Sequence, residues 1–116
     1  MAVAHKQREL TDDDRHRIAT ALTADVIAGS NAWKALGDLS EETVIDEVEV
    51  FESEIDGRRS KAEGIFNVYV ELEYGRGDDD GFQSSDAYPG RFVAHIEDDG
   101  RVVFDSISVD VSSFYA

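Results

Sequence analysis

Over residues 64–74 the chain alternates, with Phe66, Val68, Val70, Leu72 and Tyr74 at even positions and Asn67, Tyr69, Glu71 and Glu73 at odd ones. Successive side chains of a strand point to opposite faces, so this segment reads as a strand buried on one side and solvated on the other. A sheet built this way is antiparallel with one open side, and its apolar side needs a cover. The alternation also writes carboxylates into the sheet itself and not only into loops.

The cover comes from the N-terminal part of the chain. Thr11 followed by Asp12, Asp13 and Asp14 is a helix-start signal: the hydroxyl caps free backbone N–H groups and the carboxylates sit at the positive end of the helix dipole. Ile18, Leu22 and Val26 recur at four-residue spacing, flanked by Ala21 and Ala28, and Gly29 is a natural stop. The spacing predicts a helix over 12–28. A further helical turn over 31–37 would set Trp33 and Leu36 against the core, and residues 1–10 read as a flexible tail ahead of one domain, 11–116.

From Val44 onward the period is two. In 44–55, Val48 and Val50 lie on one face and Glu47, Glu49 and Phe51 on the other, but Ile45 and Ile55 share parity with the glutamates and leave that register open. Asp56 to Lys61 holds the dense basic cluster and reads as a hairpin loop. Gly75 to Gly81 is an acidic loop carrying Asp78, Asp79 and Asp80. In 91–97, Phe92, Ala94 and Ile96 alternate with Val93, His95 and Glu97. Asp99-Gly100 is the dipeptide of a type I′ hairpin. The return strand, 101–111, places Val103, Ile107, Val109 and Val111 on one side and Phe104, Ser106, Ser108 and Asp110 on the other. The expected fold class is α+β: an N-terminal helix on a four-stranded antiparallel sheet, of the cystatin-like kind. Tyr69, Val93, His95 and Phe104 would leave the outer face partly apolar, and homodimerisation through that face or its edges is expected.

Charge narrows the function. The 26 Asp and Glu outnumber the 11 Lys and Arg, giving a formal charge of −15 on 116 residues. With no basic stripe to displace counterions, direct nucleic-acid binding is excluded as an expectation, and an anionic membrane is disfavoured for the same reason. A basic protein surface is the partner such a field attracts, and it speeds the encounter. The eight Arg against three Lys, with an excess of Asp, also fit adaptation to a salty cytoplasm. There is no cysteine, in keeping with a cytoplasmic location, and no apolar run of membrane-spanning length.

Catalytic signatures are sparse. The loop around Asp78, Asp79 and Asp80 offers oxygens for a hard cation but lacks the EF-hand order of ligands, and reads as a solvated turn. His5, His16 and His95 are scattered, so no metal site is expected; no serine stands in a nucleophile turn, and no phosphate-cradling loop is present. No cofactor is assigned. The candidate partner-binding residues are Glu47, Glu49, Glu71, Glu73, Asp78, Asp79 and Asp80, serving a non-enzymatic module that docks a basic partner, as a nucleic-acid mimic or inhibitor of a nucleic-acid-binding protein. The alternative is a cone-shaped helix-on-sheet domain whose pocket holds a small molecule, with catalysis by His95 or a buried carboxylate.

The run Ser85-Asp86-Ala87-Tyr88-Pro89, then a hairpin, then Ser108-Val109-Asp110-Val111-Ser112-Ser113-Phe114-Tyr115, resembles the β-rich C-terminal segment of bacterial PIN-like nuclease proteins of suspected defence loci. Over residues of about 84–115 the resemblance implies an accessory binding module separate from its nuclease domain. It carries no catalytic residue over to this chain.

Overall fold

In the computed structural model, which describes residues 9–39, 42–74 and 82–115, the alternating segment lies within the long strand β3, Lys61–Tyr74. It is flanked by β1, Glu42–Val50, on one side and β4, Phe82–Ile96, on the other; β5, Val102–Val109, pairs with β4. A short strand β2, Asp56–Arg58, pairs with the start of β3, so the antiparallel sheet has five strands, four of them in the order β1-β3-β4-β5. The expected α+β class stands, with β2 added where the basic hairpin loop was expected. The added strand arises because the turn after Arg58 is short enough for Arg58 to pair with Lys61.

The helical cover is three short helices. Thr11 caps α1, Asp12–Ala21, in a reciprocal capping box: Thr11 Oγ1 accepts from Asp14 N at 3.0 Å, and Asp14 accepts from Thr11 N at 3.1 Å. The helix expected over 12–28 breaks at Leu22, because Thr23 caps a second helix, α2, Ala24–Ala28, through a bond from Val26 N. A threonine inside an apolar period is therefore a restart here, letting the chain turn while Ile18, Leu22 and Ile27 all stay buried. The third helix, α3, Ala32–Gly37, buries Leu36 completely and packs Trp33 against the core. Thr43 Oγ1 donates to Leu36 O at 2.9 Å, and Arg15 Nε donates to Ile55 O at 2.9 Å, tying the helices to both ends of the β1–β2 segment.

Two bulges settle the parity conflicts. Between Ile45 and Glu47 the pairing of β1 with β3 shifts by one residue, so Thr43 and Ile45 share the inner face with Val48 and Val50 although their numbers differ in parity. Ile55 reaches the core by another route, after a 3₁₀ turn at Glu52–Glu54 that ends the β1 register. The second bulge lies in β5 opposite Val93 and Ala94. It overturns the placement of Phe104 on the outer face: Phe104 faces inward and meets Phe92 edge-on at 5.6 Å, while Val103 pairs with His95 on the outside. The 97–101 hairpin also differs from type I′. No described residue other than glycine has positive φ, so Asp98 and Asp99 form a type I turn closed by Gly100 N donating to Glu97 O, and only Gly100, at φ +89, is left-handed.

The core lies between helices and sheet. Phe66, Val68, Val70 and Leu72 from β3 and Tyr88, Phe92, Ala94 and Ile96 from β4 supply its floor; Leu10, Ile18, Leu22, Ile27, Leu36 and Leu39 supply its lid. Room for the two central rings comes from glycine. Gly64 pairs with Phe92 and Gly90 with Phe66, so each ring lies over the glycine of the neighbouring strand.

A candidate protein-docking face

The side of the sheet turned away from the helices carries the odd-numbered residues of β3. The antiparallel register sets Glu42 opposite Glu73, Val44 opposite Glu71, Glu47 opposite Tyr69 and Glu49 opposite Asn67. Glu47, Glu49, Glu71 and Glu73 therefore share one face, joined by Glu42. Neighbours along a strand on one face lie about 7 Å apart. Two unit charges at that distance repel by about 0.6 kcal/mol in water, a cost repeated along both strands. Asp78, Asp79 and Asp80 lie outside the described residues.

Four of the described arginines are paired elsewhere. Arg15 pairs with Asp12, Arg17 with Asp13, Arg59 with Asp14 and Arg101 with Glu97, all at the helices or at the 97–101 turn. Glu47, Glu49 and Glu71 are exposed and form no ion pair with a described cation. Glu49 is instead positioned by a neighbour: Tyr69 Oη donates to its Oε1 at 2.9 Å. That bond to a carboxylate, with burial and the charge of Glu49, raises the Tyr69 phenol above its ordinary value. The hydroxyl stays protonated and keeps the carboxylate upright.

Across β4 and β5 the same face changes character. Ser85, Ala87, Pro89, Ser106 and Ser108 are small, and Arg91 and His95 are the basic groups. Around Arg91 two shallow, solvent-open depressions, of about 390 and 300 Å³, adjoin across Ile65, with Pro89, Ser108 and Asp110 lining the larger one and Glu54, Asp56, Glu63 and Val93 the smaller. Both open on the outer face and not between helices and sheet.

Among the described residues, His95 is the histidine that the fold places in a polar constellation on the sheet. Its Nδ1 lies 2.8 Å from Asp105 Oδ2 and its Nε2 lies 3.6 Å from Glu97 Oε2. The bulge in β5 carries Asp105 to the imidazole, a proximity that alternation alone hides. The hydrogen bond to Asp105 raises the His95 pKa above 6.5, against an opposing effect of burial, and the charges of Asp105 and Glu97 add to the rise. A raised folded value means that this group's stabilisation is complete below the unfolded pKa of 6.5 and fades as pH rises through the folded one. An NMR titration should give His95 a midpoint above 6.5, and Asp105→Asn should move it down; an unmoved midpoint would contradict the pairing. The two carboxylates meet opposite ring nitrogens, and among the described residues no three His, Asp or Glu side chains stand where one metal ion could be shared.

Among the described residues no helix is long and apolar enough to cross a membrane. A family model described as "Predicted pPIWI-associating nuclease" matches residues 3–115, consistent with the resemblance seen in the C-terminal third and extending over nearly all of the chain. No curated protein and no solved structure matches.

Proposed function

Because the chain belongs to the predicted pPIWI-associating nuclease family, we propose that it is a non-enzymatic docking module that binds a basic surface of a pPIWI protein. The supporting observation is the shared outward face of Glu47, Glu49, Glu71 and Glu73, on which Glu47, Glu49 and Glu71 form no ion pair with a described cation. Such a row is costly to the isolated domain and gains on meeting cations, which favours recognition by charge and a fast encounter. Carboxylates spaced about 7 Å along two strands resemble the regular charge of a nucleic-acid backbone. The module would therefore occupy a nucleic-acid groove of its partner as a competitor.

The test is displacement of labelled nucleic acid from the pPIWI protein by the purified chain. Displacement matching the chain's own binding curve is expected. Binding that leaves the nucleic acid in place would overturn mimicry while retaining docking, and absence of binding would overturn both.

A second reading is favoured by the word nuclease in the family description together with His95, which Asp105 holds as an orienting carboxylate holds a general base. Cleavage of nucleic acid by the chain alone, abolished in His95→Ala, would replace the docking reading with this one.

A further inference from the structure

The edge at β1 and the part of β4 beyond β5 are treated differently by the sequence. On β1 the edge carries Glu42, Asp46, Glu47 and Glu49 and is interrupted by the bulge between Ile45 and Glu47, the devices that keep a free edge from pairing. Over 82–88, β4 has no bulge and carries a single charged residue, Asp86. β5 covers β4 only from Gly90 to Ile96; over Phe82 to Tyr88, β4 pairs with β3 on one flank, and among the described residues no strand lies on the other. Pro89 ends the coverage: its carbonyl accepts from Asp110 N at 2.8 Å, but it has no N–H to return, and the chain leaves the sheet there.

The direction of the free backbone groups follows from two bonds. Pro89 O points to the β5 side, while Ile96 N points the other way, to Arg59 O. Alternation along β4 then turns the N–H and C=O of positions 83, 85 and 87 outward, toward the vacant flank. Asp86 Oδ1 accepts from Ala87 N at 3.2 Å, and Tyr88 Oη holds the other carboxylate oxygen at 3.0 Å. The Ala87 donor is thus occupied, while among the described residues the outward N–H of Ser85 has no acceptor.

We propose that this edge pairs antiparallel with the same edge of a second copy, about a two-fold axis at Ser85, joining two sheets into one. Charge permits this occupant. On a chain of formal charge −15, most meetings between copies would oppose carboxylates, whereas over 84–87 Asp86 is the single charged residue. With Ser85 facing Ser85, position 83 meets 87 and Asp86 meets Ser84, so no carboxylate is opposed by its own copy. Each strand offers outward groups at 83, 85 and 87 to the same three positions of the other, a self-complementary set. The inference is independent of the acidic face and of the pPIWI partner.

The chain has no native cysteine, so Ser85→Cys is a unique probe. Residues that face each other across such a pair have Cα atoms about 5.5 Å apart, within the span of a disulfide. Mild oxidation should convert Ser85→Cys to a covalent dimer at least about tenfold faster than Ser108→Cys, an exposed control under β5 pairing. Sedimentation in molar salt, where repulsion is screened, should show twice the 12.8 kDa mass for the wild-type chain. Ser85→Pro, which removes an outward N–H from both copies while leaving the β4 pairing with β3 intact, should weaken association at least about tenfold. A chain that stays monomeric, equal crosslinking of the two cysteine variants, or a dimer untouched by Ser85→Pro would each overturn the proposal.

Discussion

Gly90→Val should unfold the domain or lower its melting temperature by about 10–20 °C, the largest stability effect expected of a single substitution. A Cβ at position 90 would stand 2.3 Å from Phe66 Cζ and less than 3 Å from both ring Cε atoms. The ring has nowhere to go: Phe66 is 1% exposed and its centroid lies 6.5 Å from that of Phe92. Overpacking a core costs about 1–3 kcal/mol, and expelling an aromatic ring costs about 3–5, against a total stability of about 5–15 kcal/mol for a domain. A substitution costing about 3–4 kcal/mol in a chain of this length shifts the melting point by several degrees per kcal/mol. The second substitution that identifies the cause is Phe66→Leu. Trimming the ring should make Phe66→Leu/Gly90→Val more stable than Gly90→Val alone, a positive coupling that general loss of strand propensity would not produce. Gly64→Val should behave alike against Phe92, whose Cζ would be 2.4 Å away.

The second large effect is on binding. Reversing Glu47, Glu49, Glu71 and Glu73 to lysine moves the formal charge by eight units and replaces attraction with repulsion toward a basic partner. Exposed ion pairs contribute about 0.2–1 kcal/mol each, and close pairs across an interface more. Four reversals should therefore weaken association with the pPIWI protein at least about 100-fold, read by calorimetry. The fold should survive, since these side chains lie on the outer face and four lysines there repel one another no more than the four glutamates do. A melting temperature within a few degrees of wild type, alongside lost binding, separates recognition from unfolding.

Much of this architecture is legible from alternation. The segment 64–74 announces β3 and the inner and outer sets of its side chains, and Thr11 with Asp14 announces the start of α1. What alternation misses are the places where the count slips by one. Ile45 breaking parity with Val48 is itself the trace of the first bulge, once it is read as an extra residue and not as an ambiguous face. The second bulge has a fainter trace: Phe104 among serines looks like an outer-face aromatic, and only the pairing of Ala94 with Phe104 shows the chain turned over. The same slip brings Asp105 to His95, so that contact depends on a register that local sequence does not reveal. Thr23 was hidden for a different reason, since the apolar spacing continues across it and masks the second cap. The shared face of Glu47 and Glu49 with Glu71 and Glu73 is half legible: each pair is evident within its own strand, but their meeting requires the bulge to lie before Glu47 and not after it.

The central claim is that a row of carboxylates on the open side of the sheet drives recognition of a basic pPIWI surface. The most direct measurement is the affinity of the wild-type chain for that protein across a salt series from about 0.05 to 1 M, spanning Debye lengths from beyond 10 Å to about 3 Å. A steep, steady fall in affinity with rising salt, which the four-lysine variant lacks, is the predicted result. Affinity that holds constant across the series would contradict it.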